Sequence, residues 1–192
     1  TACQALGAHL ITNQEWMTIA RNAEQVPQNW TGDPDESGCL FRGNSGDTTC
    51  GYNSPIDPDY GINRNARAKL ILSNNQEIYD LSGNVYDHVM KDNNDSLLSS
   101  LPHDGVSGWH FAEFTSLTTY GAMSYNEIGP SDDTWNSAQG MGKVYTTSDA
   151  QSNRVLLRGG YWPNNVNVGV FVLRLNSGTG DSEYNVGLRC VR

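Results

Sequence analysis

The sequence predicts an α+β fold in one domain spanning residues 1–192, with two helices, a small antiparallel sheet and long irregular loops. Three observations predict it: a capped amphipathic helix pattern at Thr12, an alternating apolar pattern in residues 154–192, and a Gly- and Pro-rich stretch between them. A chain of 192 residues with 37% hydrophobic residues and a mean hydropathy of -0.54 suits one loop-rich domain with its own core.

The N-terminal 25 residues contain the strongest local signals. Cys3, Leu6 and Gly7 fit a short first helix that ends before residues 9–11. Thr12 then opens the sequence Thr-Asn-Gln-Glu, a capping box in which the Glu15 side chain returns to the Thr12 amide. The apolar positions of the second helix recur at i, i+3, i+4 and i+7 and form one core-facing side: Trp16, Ile19, Ala20 and Ala23.

Residues 26–65 are rich in Gly and Pro, which predicts a long structured loop region. Such a loop is uncommon in a compact domain unless it has a task. Four carboxylates in it offer oxygen ligands to calcium: Asp33, Asp35, Asp57 and Asp59. Asp-Pro-Asp is also a common turn and lacks the spacing of a calcium-binding loop, so both interpretations stay open.

Residues 66–92 alternate around a turn at Asn74 and Asn75, which predicts a hairpin. A tight turn in the core follows, because Leu81 and Val85 are apolar and Gly83 permits a positive φ. Further along the chain, three histidines could meet on a metal, although their spacing does not require it: His88, His103 and His110. Isolated core or surface histidines are the alternative.

The tail, residues 154–192, predicts about three strands. Residues 155–157 form a short apolar run, residues 168–175 are apolar on both sides of an alternating pattern, and residues 186–191 alternate again. A strand that is apolar on both sides is expected to be buried on both. Four apolar residues of this tail are expected to lie beneath its polar positions: Trp162, Phe171, Leu173 and Leu188.

The four cysteines suggest two disulfides if the protein meets an oxidising compartment. Cys39 and Cys50 bracket a short polar loop, whereas a bond between Cys3 and Cys190 would join the first helix to the last strand. Free buried thiols are the alternative. None of the four lies in a Cys-x-x-Cys pair, which argues against a zinc or redox site.

The formal net charge of -9 is unevenly distributed along the chain. In residues 154–192 five Arg oppose Asp181 and Glu183, giving +3, so residues 1–153 carry -12. An acidic body argues against a nucleic-acid partner. We expect no membrane insertion, because no apolar run approaches the roughly 20 residues of a membrane span. Thr1 leads directly into a predicted helix. One expectation is therefore that the chain is a trimmed core domain whose upstream sequence, including any export signal, is missing. Asn29 and Asn94 lie in glycosylation sequons.

The tail resembles the C-terminal variable region of diversity-generating retroelement variable proteins, through Arg-Gly-Gly-x-Trp, Gly-Val-Phe-x-Leu-x-Leu and Asn-Val-Gly-Leu-Arg-Cys within residues 158–190. In that family, error-prone reverse transcription at adenines rewrites Asn codons. The resemblance implies a variable set whose residues are all reachable from an Asn codon by adenine changes: Tyr161, Pro163, Asn164, Asn167, Arg174, Asn176, Ser177, Asp181 and Tyr184. Glu183 belongs to the same predicted surface but is not reachable in this way.

Two further stretches indicate the fold that this resemblance implies. The order of Cys3, Gly-Ala-His-Leu and a capped helix resembles the opening of C-type lectin domains, in which a helical Cys pairs with one in the final strand. The sequence Ile-Tyr-Asp-Leu-Ser-Gly-Asn-Val-Tyr-Asp-His-Val resembles the central motif of the formylglycine-generating enzyme family, which also uses a C-type-lectin-like fold. Tyr79, Tyr86 and His88 stand where that motif has Trp.

The resemblance implies a ligand-binding display protein, extracellular or shown on a cell surface or virion, whose variable residues bind a protein or cell-surface receptor. A formylglycine-generating oxidase is the first alternative, but residues 176–185 lack the Cys pair which that family uses. A calcium-dependent sugar lectin is the second, but its motifs are missing. The common hydrolase and phosphate-loop motifs are missing too, so we expect a chain that is not an enzyme and needs no cofactor.

Overall fold

The computed structural model describes residues 2–54, 65–92, 97–181 and 183–192. Within these residues the chain forms two α-helices and ten short strands, which confirms the α+β class. In chain order they are α1 (Ala2–Ala5), β1 (His9–Leu10), α2 (Asn13–Glu24), β2 (Lys69–Ile71), β3 (Glu77–Tyr79), β4 (Tyr86–Val89), β5 (His110–Ala112), β6 (Val144–Thr146), β7 (Leu156–Arg158), β8 (Leu173–Arg174), β9 (Val186–Leu188) and β10 (Cys190–Val191). Single 3-10 turns occupy Pro27–Asn29, Ala66–Ala68, Phe114–Ser116, Tyr125–Glu127, Ser137–Gln139 and Asn165–Asn167.

Helix α2 begins where the sequence predicts. The Thr12 hydroxyl accepts the Glu15 amide at 3.3 Å, and the Glu15 carboxylate accepts the Thr12 amide at 2.8 Å. Its apolar side is closed against the tail, because Trp16 and Ala20 have no exposed surface and the Trp16 indole donates to the Val170 carbonyl at 2.7 Å. The capping box therefore sets the start of the helix, and Trp16 fixes the helix to the C-terminal segment.

The main sheet has six strands in the order β5-β6-β8-β7-β4-β9. The prediction of an antiparallel sheet is wrong for two of its five pairs, because β6 with β8 and β4 with β9 run parallel. Parallel neighbours need long crossover connections rather than hairpins. The irregular segments between these strands provide such connections, and local sequence patterns cannot show which distant strands they join.

Register divides the sheet into two faces, because directly paired residues lie on the same side and alternate residues on opposite sides. The inner face, which is buried against the core, is the row Ala112, Val144, Leu173, Arg158 and Asp87. The outer face is the row Phe111, Tyr145, Arg174, Leu157, His88 and Leu188. Tyr86 shares the outer face with His88, two positions away on β4.

The predicted strand over residues 168–175 is shortened to β8. Residues 168 and 170–173 are fully buried, yet residues 169–171 turn instead of extending. Gly169 explains the tight packing, since a Cβ there would lie 2.4 Å from the Gly140 carbonyl oxygen and 2.3 Å from the Met141 carbonyl carbon. A buried turn has no solvent side, so its sequence shows the same two-sided apolar pattern as a buried strand.

Two of the residues expected beneath the polar positions of the tail lie elsewhere. Trp162 is half-buried in a loop, where its indole donates to Asn53 Oδ1 at 2.9 Å. Leu188 is 50% exposed on the edge strand β9, because alternation places it on the outer face. Phe171 and Leu173 do lie in the core with no exposed surface.

Two disulfides join the same cysteine pairs that the sequence suggested. The Cα separation is 5.3 Å between Cys3 and Cys190 and 5.7 Å between Cys39 and Cys50, so all four thiols are bonded. Strands β1 and β10 pair antiparallel beside the first bond, which brings both ends of the chain together. Two disulfides are compatible with an extracellular or secreted protein.

The predicted hairpin is present as β2 and β3, and the turn after it is buried as expected. Leu81 is 1% exposed, and Gly83 has φ +79 with the Asn44 carbonyl oxygen 2.5 Å from where a Cβ would lie. This turn leads directly into β4 and thus sets the position of Tyr86. Across the described ranges, no helix has the length and apolar character needed to cross a membrane.

Candidate functional site

A cleft of about 280 Å³ opens on the outer face of the main sheet. We call it the outer-face cleft. Its lining consists of four rings and four polar side chains: Tyr86, Phe111, Tyr145 and Tyr161, with Asn164, Arg174, Asn176 and Asn185. Strands β4, β5, β6 and β8 supply four of them, and the segments between β7 and β8 and between β8 and β9 supply the other four, so the lining is assembled from distant parts of the chain.

Arg174 organises the polar side of the cleft. Its two terminal nitrogens donate to the two Glu183 oxygens at 2.8 and 2.9 Å, and its Nε donates to Asn176 Oδ1 at 2.6 Å. The guanidinium also lies 5.1 Å from the ring centre of Tyr86. A bidentate pair combined with a ring contact holds the side chain in one orientation. Glu183 also balances the charge of Arg174, so the pair adds little net charge to the cleft.

Three tyrosines form a connected group at the other side. The Tyr161 ring stacks on Tyr86 with centres 6.5 Å apart, and its hydroxyl lies 3.1 Å from that of Tyr184. The hydrogen bond with Tyr184 raises the pKa of Tyr161, while burial raises the pKa of Tyr86 to about 12. Both phenols therefore remain neutral at physiological pH. Tyr184 is 90% exposed and forms the outermost part of the group.

Four of the predicted surface residues neither line the cleft nor bond through a side chain to a residue that does. Ser177 is 2% exposed and supports Glu183 from beneath, with its hydroxyl 3.4 Å from Glu183 Oε1, so its prediction as a surface residue is wrong. Asp181 accepts the Gly178 amide at 2.7 Å and stabilises its own turn. Pro163 and Asn167 lie in the adjoining loop that ends in the 3-10 turn Asn165–Asn167.

The remaining six predicted residues line the cleft or bond directly to residues that do: Tyr161, Asn164, Arg174, Asn176, Glu183 and Tyr184. Glu183 is among them although adenine changes in an Asn codon cannot produce it, because it is the partner of Arg174. Tyr145 lies directly opposite Arg174 in the register of β6 and β8.

Sequence reasoning missed four of the lining residues: Tyr86, Phe111, Tyr145 and Asn185. Each ring alternates with residues of the inner face, but alternation alone does not tell which side meets solvent. Phe111 and Tyr145 pair with each other across β5 and β6, with ring centres 4.7 Å apart. The missing information was the long-range pairing of β6 with β8, which brings these rings beside the tail.

The metal interpretations receive no support from the described parts of the chain, where no three His, Cys, Asp or Glu side chains are placed to hold an ion. His88 and His110 lie on β4 and β5, four strand positions and therefore about 19 Å apart. The Asp33 carboxylate accepts the Asp35 amide at 2.9 Å. This hydrogen bond favours the interpretation of that segment as a turn. Asp57 and Asp59 lie outside the described residues.

The first sequon is closed to glycosylation in the folded chain. Asn29 has no exposed surface, and its side chain donates at 2.8 Å to the carbonyl groups of both Ala23 and Ile71. It joins α2 to the β2 hairpin instead. Asn94 of the second sequon lies outside the described residues.

No protein-family model matches the chain, and no curated protein matches it either. Function is therefore inferred from the chemistry of the outer-face cleft. The cleft combines tyrosine rings, amides and a paired Arg, and Tyr and Arg are among the residues that dominate binding energy at protein interfaces.

Proposed function

We propose that the chain is a ligand-binding display protein of the retroelement-diversified type, in which a C-type-lectin-like frame carries a changeable binding surface. One observation carries the proposal. Five positions that the tail's resemblance marks as changeable at adenines come together around one cleft on the outer face: Tyr161, Asn164, Arg174, Asn176 and Tyr184. Changes at these codons would alter one continuous surface.

The opposite side of the same strands supports this division into a fixed and a changeable part. Arg158 on the inner face has no exposed surface and donates to Asn13 Oδ1 at 3.1 Å and to the Phe171 carbonyl at 2.9 Å. Leu173, directly opposite it, is fully buried. Replacements on the outer face leave these contacts intact, because alternate residues of a strand point away from each other.

The partner that fits this surface best is a protein, including a receptor at a cell surface. The cleft is shallow in volume, and Tyr184 stands at its edge with 90% of its surface exposed, as a contact residue for a large partner would. Such a role places the chain outside the cell, on a cell surface or on a virion. The two disulfides support that location.

The oxidase alternative lacks its reactive group. All four cysteines are bonded in pairs, and none of them lies in the lining of the outer-face cleft. Chemistry on a substrate thiol by a formylglycine-generating oxidase needs cysteines of the enzyme that can become thiolates. Within the described ranges, no group of side chains placed to hold an ion supports the calcium-dependent lectin alternative.

The DNA that flanks the coding sequence tests the proposal. We expect a near-copy of the codons for residues 158–190 beside a reverse-transcriptase gene, with mismatches confined to adenines of the copy. The mismatched codons should include those of Tyr161, Arg174 and Tyr184 and exclude those of Phe171 and Leu173. The absence of such a copy, or mismatches that fall on the two core codons, would overturn the proposal.

A further inference from the structure

Two oxygen atoms in the lining of the outer-face cleft lack a hydrogen-bond donor among the described residues. Asn164 Oδ1 and Asn185 Oδ1 are both buried without a partner. Asn185 as a whole is only 8% exposed, and both residues line the cleft. Native proteins leave few buried acceptors unpaired, because such a group loses its water and gains nothing in return. Two of them at one cleft indicate that a donor is supplied from outside.

The neighbouring charges decide what kind of donor fits. A cation would lie close to Arg174, and an anion would face two amide oxygens and the Glu183 carboxylate. Three donor groups of Arg174 are already bonded to Glu183 and Asn176, so they are not available to pair with an anion. A neutral N–H group avoids both repulsions and satisfies the unpaired oxygens.

The aromatic rings and the volume of the outer-face cleft further limit the kind of ligand group that fits it. Phe111, Tyr145 and Tyr161 offer half-buried aromatic surface above the buried ring of Tyr86, which favours a planar group that can stack or meet a ring edge-on. The volume of about 280 Å³ lies just below the range of about 300–1,000 Å³ that is usual for small-molecule sites. The space suits one side chain of a larger partner better than a whole cofactor.

We propose that the outer-face cleft is a socket for one planar, neutral, N–H-donating side chain of a protein partner, with Asn185 as its acceptor. This inference rests on the proposed function and adds to it. Asn185, Tyr86, Phe111 and Tyr145 lie outside the predicted variable set. These four residues are therefore the constant part of the socket, and the changeable residues Tyr161, Asn164, Arg174 and Asn176 complete its lining.

The same substitution at two asparagines tests whether Asn185 is kept for a ligand. Asn185→Leu removes an unpaired buried oxygen and should raise the melting temperature by roughly 2–4 °C. Asn176→Leu is the matched control, because Asn176 Oδ1 accepts from Arg174 Nε at 2.6 Å. That variant should melt at a lower temperature than the original chain. If Asn185→Leu lowers the melting temperature as Asn176→Leu does, Asn185 is structural and the inference fails.

Binding is tested with indole and indene, which have the same shape and differ in the N–H group. In ¹H–¹⁵N spectra of the full chain, indole should shift the side-chain amide signals of Asn164 and Asn185. Indene should bind at least about fivefold more weakly, and Asn185→Leu should remove the difference. Equal affinities, or no indole shift at these amides, would overturn the inference. The comparison of the flanking codons does not depend on either result. The socket inference can therefore fail while the proposed display function stands, and the two failures are distinguishable.

Discussion

Two arginines on neighbouring strands show how the faces of the sheet differ. Arg158 on the inner face has no exposed surface, and it donates to Asn13 and to three main-chain carbonyl groups. Arg174 on the outer face is half-buried, and its hydrogen bonds go to the side chains of Glu183 and Asn176. A side chain bound to the backbone is tied to the fold itself. One bound to other side chains can be exchanged together with them.

The same distinction separates the rest of the two rows. Leu173 and Val144 fill the core, whereas Tyr145 and Arg174, one residue along each strand, line the cleft. One pair of strands thus fills the core on one side and lines the proposed binding cleft on the other. The comparison predicts large stability losses from changes in the fixed part and small losses from changes at the exposed edge of the cleft.

The largest loss should follow removal of the disulfide that closes the chain. Replacing Cys3 and Cys190 by Ser opens a loop with a sequence separation of 187 and should cost about 5 kcal/mol. The Cys39–Cys50 bond, with a separation of 11, is the control and should cost about 3 kcal/mol. Urea unfolding measures both values. A smaller loss for the longer loop would show that chain entropy does not govern the stability of this frame.

The two arginines should differ when each is replaced by Met. Arg158→Met leaves several buried acceptors unpaired and should reduce the free energy of unfolding by at least about 3 kcal/mol. Arg174→Met leaves partly exposed partners that water can reach, so its loss should be about 1–2 kcal/mol. Equal losses in urea unfolding would contradict the division into a fixed and a changeable face.

Within the outer face, the loss of stability on replacing a residue should increase with the burial of its side chain. Tyr86 is 2% exposed and supports both Tyr161 and Arg174, so Tyr86→Ala should cost about 3 kcal/mol. Tyr184 is 90% exposed, and Tyr184→Ala should cost less than about 0.5 kcal/mol. Thermal unfolding of the two variants checks the difference. Destabilisation of the Tyr184→Ala variant would show that this ring contributes to the stability of the fold.

The smallest effect is expected at the edge strand β5, where His110 Nε2 lies 3.1 Å from the Asp104 carboxylate. The Gly108 carbonyl and Asp104 raise the pKa of His110 above its ordinary value of 6.5. A raised pKa means stability that is fully present below pH 6.5 and is lost as the pH rises through the folded-state pKa. Asp104→Asn should therefore lower the melting temperature slightly at pH 5.5 and less at pH 8.5. An NMR titration should show its His110 pKa shifted downward, and an unchanged pKa would refute the pairing.

The parts of the fold that sequence could predict are those set by local chemistry. The capping box at Thr12 and the turn at Gly83 depend on neighbours along the chain, and their patterns are specific. Leu188 was placed wrongly because alternation separates two faces without telling which one is covered. That information resides in the parallel pairing of β4 with β9, which connects residues about 100 positions apart in sequence.

The residues of the candidate site also divide into those that the sequence could predict and those that it could not. The resemblance of the tail marked Tyr161 and Arg174 as binding residues. Tyr145 carries no local signal, and Asn185 belongs to a motif of the resemblance that does not mark it for binding; tertiary structure brings both into the cleft. Glu183 has a physical reason to be present, because Arg174 and Ser177 both contact its carboxylate. The codon argument alone could not supply that reason.

The central claim is that the cleft residues on the outer face can change while the buried residues cannot. A comparison of two random libraries tests it most directly. One library randomises six cleft positions together: Tyr161, Asn164, Arg174, Asn176, Glu183 and Tyr184. The other randomises six buried positions of the fixed part: Asp87, Ala112, Val144, Arg158, Phe171 and Leu173. The measurement is the fraction of displayed clones that resist protease under oxidising conditions. We expect most clones of the cleft library and few of the buried library to remain folded. Similar fractions in the two libraries would show that the outer face is as necessary to the fold as the core.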